Sequence, residues 1–304
     1  MDSTADTPKP RSGITGYVAL LGRPNTGKST LVNTVLNRHL AAVSDKPQTT
    51  RKYLLAIYTD DEAQILFLDA PGVHVSKIAI DEAMDNSVSR VLEDADLLVC
   101  MVDPSREPGE EDALTAQRAR ANGKPAIIAI NKVDVATPEQ IATSLGFYRQ
   151  YLPDAPCVQL VAMDPERVKD LMAMIKSMLP QSIFLYDADE LTDVYERDVA
   201  AELIREVLLQ ELKQEVPHCI AVTVDTWKEK DRKLLVGATM HIERENHKGI
   251  IIGQGGKMIK HLRHHAAAKI AEFCGTRVDL SLFVKVVPDW RRRKQFLKEI
   301  RLME

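Results

Sequence analysis

The sequence predicts an α/β chain, a doubly wound and mainly parallel sheet of the P-loop kind followed by a smaller α+β module, and three observations carry that reading. From Ile14 to about Gln181, short apolar runs alternate with longer amphipathic ones, the pattern of strands joined by crossover helices. The glycine-rich run GRPNTGKS, Gly22 to Ser29, separates the first apolar run from the first helical one. Beyond Val194 the order changes to helix, strand, strand, helix, glycine loop, helix, strand.

The elements follow in order. Ile14 to Leu21 reads as a buried strand and Thr30 to Asn37 as the helix after the loop. IYTDD and AQILFLD read as strands, Asp81 to Glu93 as a helix, ADLLVCMVD as a strand and Glu110 to Ala121 as a helix. PAIIAINK and APCVQLVA are strands, followed by helices over Pro138 to Tyr151 and Pro165 to Leu179. In such a sheet, ligand loops lie at the carboxyl ends of strands. Pro180 to Asp193 lacks periodicity and reads as a linker, and an amphipathic helix then runs toward Pro217. Cys219 to Thr226 and Lys233 to Glu243 alternate like an antiparallel pair, Gly253-Gln254-Gly255-Gly256 interrupts a helical stretch ending at Phe273, and Arg277 to Val287 is a last strand. Pro288 opens a basic final helix, DWRRRKQFLKEIRLM. The division expected is a mobile tail over 1–12, a nucleotide module over 13–181, a linker over 182–193 and a second module over 194–304.

A chain of 304 residues fits two modules. Its 45% hydrophobic and 28% charged content is that of an ordinary globular protein, and no apolar run reaches the ~18 residues that span a bilayer. The polar start MDSTADTPKPRS has no secretory pattern, so a cytoplasmic location is expected, and the chain is expected to be a monomer. Cys100, Cys157, Cys219 and Cys274 lack paired spacing and read as buried thiols. The net charge of −4 hides an asymmetry: Arg244 to Glu304 holds 14 Lys and Arg against 6 Asp and Glu. A basic end on an acidic remainder points to a polyanionic partner.

In GRPNTGKS, Gly22 and Gly27 let backbone bend around phosphates, while Arg23, Pro24, Asn25, Thr26 and Thr30 complete the cradle. Lys28 neutralises charge and Ser29 is free to ligate magnesium. Asp69-Ala70-Pro71-Gly72 follows a strand directly; Asp69 can hold magnesium through water, and the Gly72 amide can meet a γ-phosphate. Asn131-Lys132-Val133-Asp134 selects the base. Asp134 can accept hydrogen bonds from N1 and the amino group of guanine, whereas adenine presents an acceptor at N1; Lys132 can lie along the base and Asn131 can tie its loop to the P-loop. The three motifs in this order specify GTP or GDP with Mg2+, and P-loop kinases and most ATPases drop out. Leu40 to Lys52 is polar and aperiodic, a candidate switch in which Thr49 or Thr50 can close over magnesium.

IIIGQGGKMI, Ile250 to Ile259, has the KH form: a helix end, the turn Gly253-Gln254-Gly255-Gly256, and a second helix. Such a turn clamps about four single-stranded nucleotides. Lys257 and Lys260 can add phosphate contacts, and Arg291, Arg292, Arg293 and Lys294 can extend the basic surface. His261 and His265, four apart on one helix face, read as a solvent-facing pair without an apparent third metal ligand.

GRPNTGKS, QTTRK, DAPG and NKVD in this order, with the GxxG module downstream, closely resemble the Era family of bacterial GTPases. The resemblance covers nearly everything after Ser12 and implies a P-loop GTPase domain followed by an α+β type II KH domain. It further implies binding of small-subunit ribosomal RNA near its 3′ end and assistance to small ribosomal subunit assembly. Ala70 stands where the family usually has Thr. The family's Ser-Ala guanine loop is here Val161-Ala162, whose Ala162 amide can still meet the guanine carbonyl; loss of the serine weakens base binding by roughly 1 kcal/mol. Thr26 stands where Val is commoner.

Several GTPases orient the attacking water with a Gln after the magnesium glycine; here Val73 has no donor or acceptor. Asn25 resembles the residue that recruits K+ beside the phosphates in related GTPases, where a cation can stabilise transition-state charge. The catalytic set expected is Asn25, Lys28, Thr49, Thr50 and Gly72, with His74 a weaker candidate and slow intrinsic turnover. Two other readings are a nucleotide-bound RNA-binding protein with negligible turnover, and a signalling GTPase whose basic helix makes peripheral contact with the inner membrane.

Overall fold

The computed structural model describes residues 11–46, 49–73 and 78–303. The first sheet comprises β1 (Ser12–Leu21), β2 (Leu54–Thr59), β3 (Ala63–Asp69), β4 (Leu97–Val102), β5 (Ala126–Ile130), β6 (Cys157–Gln159) and β7 (Gln181–Ile183). Its order is β2-β3-β1-β4-β5-β6. β2 runs antiparallel to β3, and β7 pairs antiparallel with the start of β1; the other pairs are parallel. β4 and β5 are buried along their whole length because helices cover both faces.

Those helices are α1 (Lys28–Leu36), α2 (Ala79–Asp94), α3 (Glu110–Asn122), α4 (Pro138–Arg149) and α5 (Pro165–Met178). α4 starts where predicted because Thr137 and Gln140 cap each other and Pro138 occupies the first turn. Alternation along β1 divides the core: Val18 and Leu20 join one cluster, Ala19 and Leu21 the other.

The second module contains α6 (Glu196–Glu211), β8 (Ile220–Lys230), β9 (Lys233–Ile242), α7 (Glu245–Ile252), α8 (Lys257–Cys274), β10 (Arg277–Val286) and a short α9 (Lys294–Glu299). Its sheet has the order β10-β9-β8, with β10 parallel and β8 antiparallel to β9. The cluster containing Val18 and Leu20 continues through α6 into this module.

Three expectations change. Residues 1–10 of the expected tail lie outside the described residues, but Ser12 opens β1, and the Phe184 amide donates to the Arg11 carbonyl at 2.9 Å. The expected linker is strapped to the first sheet: it begins with β7, the Gln64 side chain accepts from the Leu185 and Tyr186 amides, and the Ile57 amide donates to Leu191. Its aperiodic sequence gave no sign of this because side chain and sheet edge supply the partners. The final helix is broken: Asp289 has φ 53, Trp290–Arg292 is a 3-10 turn, and α9 spans six residues. Trp290 sets this break, since its buried ring donates from Nε1 to the Cys219 carbonyl at 2.9 Å. Of the four thiols, Cys100 and Cys219 are buried, while Cys157 and Cys274 are partly exposed. Among the described residues no helix is long and apolar enough to cross a membrane.

Candidate nucleotide site and nucleic-acid interface

The loop between β1 and α1 turns through backbone that glycine favours. Gly27 has φ +98, and a Cβ there would approach the Asn131 amide nitrogen to 2.2 Å. The Asn131 side chain clasps two loops, donating from Nδ2 to the Thr26 carbonyl and accepting from the Ala162 amide, both at 2.8 Å. The tie expected between Asn131 and the P-loop is therefore present. The Ala162 amide is engaged with Asn131 rather than directed at a base, which departs from the role expected for Val161-Ala162. Gly72 packs against the P-loop so closely that a Cβ would lie 2.7 Å from the Pro24 nitrogen. The adjacent Val73 amide donates to Gly22, and its side chain is buried.

Lys28 is buried and donates from Nζ to the Gly22 and Arg23 carbonyls at 3.0 and 3.1 Å. Burial lowers its pKa to about 8, opposed by the charges of Asp69 and Glu111. Ser29 donates from Oγ to Asp69 Oδ2 at 2.6 Å and lies 3.1 Å from Thr50 Oγ1. Asp69 is fully buried, and its Oδ1 has no hydrogen-bond partner among the described residues. Burial raises its pKa to about 6, against the pull of Lys28 and the Ser29 hydrogen bond. Three converging oxygens, an orphaned carboxylate atom and a buried ammonium beside a glycine loop fit a hard divalent cation carrying phosphates.

Thr49, expected with Thr50, stands apart because its hydroxyl donates to the Lys46 carbonyl at 2.7 Å. Arg23 contributes no side chain to the cradle: its buried guanidinium bonds Asp112 at 2.5 Å and the Asp103 carbonyl at 2.6 Å. Asp112 also accepts from Tyr148, so this side chain braces the loop from behind. Asn25, at φ 64, donates from Nδ2 to the Asp45 carbonyl at 2.5 Å, joining P-loop and candidate switch. Thr30 lines the same pocket from the first turn of α1. Lys132 reaches Asp103 Oδ2 at 2.8 Å; desolvation pushes the Asp103 carboxyl up, but Lys132 and Ser105 together hold it below its ordinary range. Asp134 is exposed at the end of this loop. Pro47, Gln48 and His74 lie outside the described residues.

The segment carrying Thr50 is fastened to the second module by contacts that sequence reading missed. Arg51 is buried and donates to the Ile220 and His218 carbonyls at 2.7 and 2.8 Å, with its guanidinium 5.6 Å from the Trp290 ring centre. Lys46 donates to the Leu212 carbonyl, and Gln210 to the Val43 carbonyl at 3.1 Å. His39 meets the buried Glu206 at 2.8 Å, which also pairs with Lys269. On the other side, Ala79 and Ile80 of α2 pack with Trp290 and Leu297.

In the GxxG turn, Gly253, Gly255 and Gly256 have φ of 69, 59 and 75. A Cβ at Gly253 would meet Met258 at 2.7 Å, whereas Gly255 and Gly256 face open space. Gln254 and both Lys257 and Lys260 are exposed, and the eighteen-residue α8 starts directly behind the turn. Backbone that is open, glycine-lined and set at a helix N-terminus can receive phosphates. The four cations after Pro288 do not form one free surface. Arg291 is half-buried and pairs with Glu243 at 2.7 Å; Lys294 pairs with Glu82 of α2 at 2.8 Å but stays exposed, as do Arg292 and Arg293.

Comparison with known proteins agrees with both halves. Residues 17–132 match the family model of the 50S ribosome-binding GTPase, and residues 215–291 that of the KH domain. GTPase Era of Lactobacillus helveticus is 40% identical over 286 residues, covering 94% of this chain and 95% of that protein. GTPase Era of Clostridium perfringens is 36% identical, covering 94% and 97%. Solved structures of an Aquifex aeolicus Era variant bound to GDP.AlF4- and of Era with MgGDPNP and nucleotides 1506–1542 of 16S ribosomal RNA each superpose with a TM-score of 0.91 at 32% identity, over 96% of this chain and 100% of theirs. The chain belongs to the Era family of GTPases.

Proposed function

We propose that this GTPase is a nucleotide-controlled RNA-binding switch that assists small ribosomal subunit assembly by holding the 3′ end of small-subunit RNA in its KH module. The observation that carries the reading is the adjacency of Thr50 and Arg51. One side chain meets Ser29, which donates to Asp69, and the next is buried against the second module. A change of nucleotide that moves Thr50 must therefore strain or release the Arg51 contacts. The family description covering residues 17–132 names the large subunit, whereas the RNA-bound relative aligned over 96% of the chain holds 16S RNA. The longer match, which includes the KH module, favours the small subunit.

In this reading Ser29, Thr50 and Asp69 would hold Mg2+, which would supply charge neutralisation to the β- and γ-phosphates. Lys28 leaves its loop carbonyls for the phosphates, Gly72 offers backbone to the γ-phosphate, and Asp134 selects guanine. Val73 is buried and cannot orient water. Asn25 Nδ2 donates to the Asp45 carbonyl beside the P-loop, and K+ is the second cation of this reading on the resemblance of Asn25 to the K+-recruiting residue of related GTPases. The protein works in the cytoplasm as a monomer. RNA is the partner this reading gives the basic module, on the strength of the open GxxG turn with the exposed Lys257 and Lys260 behind it.

The test is a Gly255→Asp variant. Nothing lies within 4 Å of a Cβ there, and although φ 59 strains any side chain, Asp is among the few residues that visit this region; it sets a negative charge where phosphate is to bind. Affinity for RNA copied from the small-subunit 3′ end should fall by about tenfold or more while GTP turnover stays unchanged. Unchanged RNA affinity would remove the KH turn from the interface.

A further inference from the structure

We propose that Glu211, His261 and His265 form a binding site for a zinc-type transition-metal ion that pins α8 to α6 inside the second module. The two histidines lie one helical turn apart on α8, with ring centres separated by 4.1 Å. The missing ligand comes from fifty residues earlier: Glu211, the last residue of α6, meets His261 Nε2 at 3.0 Å and His265 Nδ1 at 2.8 Å. One ligand atom from each residue lies within 4.8 Å of the others. A tetrahedral ion with bonds near 2.0–2.1 Å needs its ligand atoms about 3.3 Å apart, so the Glu211 pairs with His261 and His265 open by about 0.3 and 0.5 Å, and the two imidazole nitrogens close by at most about 1.5 Å. Two helix-borne imidazoles and one carboxylate suit zinc and its neighbours, not magnesium, whose oxygen donors converge instead at Ser29 and Asp69. All three side chains are partly exposed, which gives the ion a route in and leaves a coordination position for water.

The location gives the ion a consequence. Gln210, next to Glu211, donates to Val43 in the candidate switch, and α8 begins at the GxxG turn. An ion at this seam ties together the helix that touches the switch and the helix that presents the RNA loop.

Full-length, tag-free, chelator-treated protein is loaded with GDP and excess magnesium, then titrated with zinc by calorimetry and with cobalt by visible absorption. The expected result is one ion per chain, cobalt bands of a four-coordinate site, and a raised thermal midpoint. His265→Ala and Glu211→Gln should each weaken binding by about tenfold or more, with GTP turnover retained as proof of folding. His264→Ala, on the exposed neighbour, should bind as the unsubstituted protein does. No uptake in the presence of magnesium, or equal uptake by the Glu211→Gln and His265→Ala variants, would overturn the proposal.

Discussion

Replacing Arg51 with Met keeps most of the apolar stem and deletes every donor of the guanidinium. The Ile220 and His218 carbonyls then lose charge-assisted partners at 2.7 and 2.8 Å, and Trp290 loses the cation over its ring. Each hydrogen bond to a charged group contributes about 1.5–3 kcal/mol. The variant recovers part of this, because Arg51 is only 2% exposed and no longer has to be desolvated beside Arg205. The net loss should be about 3 kcal/mol, concentrated at the join between modules. Urea unfolding in a Trp227→Phe background isolates Trp290 as the reporter, since the chain has two tryptophans. The Trp290 transition should move to lower urea, and the RNA affinities of the GDP and GTP-analogue states should converge. A shift below about 0.5 kcal/mol with undiminished nucleotide dependence would refute the assignment of Arg51 as the mechanical link.

Two further outcomes follow from local geometry. GTP turnover at saturating magnesium should be faster in potassium than in sodium, and Asn25→Ala should abolish the difference; equal rates in the unsubstituted protein would exclude a potassium role. Asp60, held by Lys176 at 2.6 Å and by the Glu62 and Ala63 amides, has its pKa lowered from 3.8 to about 2 although desolvation pushes the other way. A depressed folded-state pKa stabilises above 3.8 and that contribution is lost as pH falls toward 2, so Asp60→Asn should cost about 1 kcal/mol at pH 7, after allowance for solvent screening, with the gap closing across that window in pH-dependent unfolding.

The parallel part of the first sheet was legible because β4 and β5 are unbroken apolar runs and each loop motif follows a strand end, whereas the exposed β7 was read as linker. GRPNTGKS, DAPG and NKVD supplied the ligand-facing residues through local spacing. Long-range partners were not legible: nothing near Arg23 points to Asp112 and Tyr148, and nothing near Arg51 points to carbonyls 167 and 169 residues away. Glu211 was missed as the third partner of His261 and His265 for the same reason, since only the packing of α6 on α8 brings it there. The broken last helix was misread because a basic, helix-like composition carries no mark of the buried Trp290 anchor. Composition placed Arg291 and Lys294 on the basic surface, and only the fold supplies their acidic partners.

The most direct test of the central claim is the affinity for single-stranded RNA from the small-subunit 3′ end, measured at one salt concentration with the protein loaded with GDP or with a non-hydrolysable GTP analogue. Fixed salt is essential because phosphate contacts make RNA affinity salt-dependent. The account predicts a several-fold difference between the two states, and by linkage RNA must shift the preference between the nucleotides by the same factor. Equal affinities in both states would contradict it, leaving a GTPase and an RNA-binding module that share a chain without controlling one another.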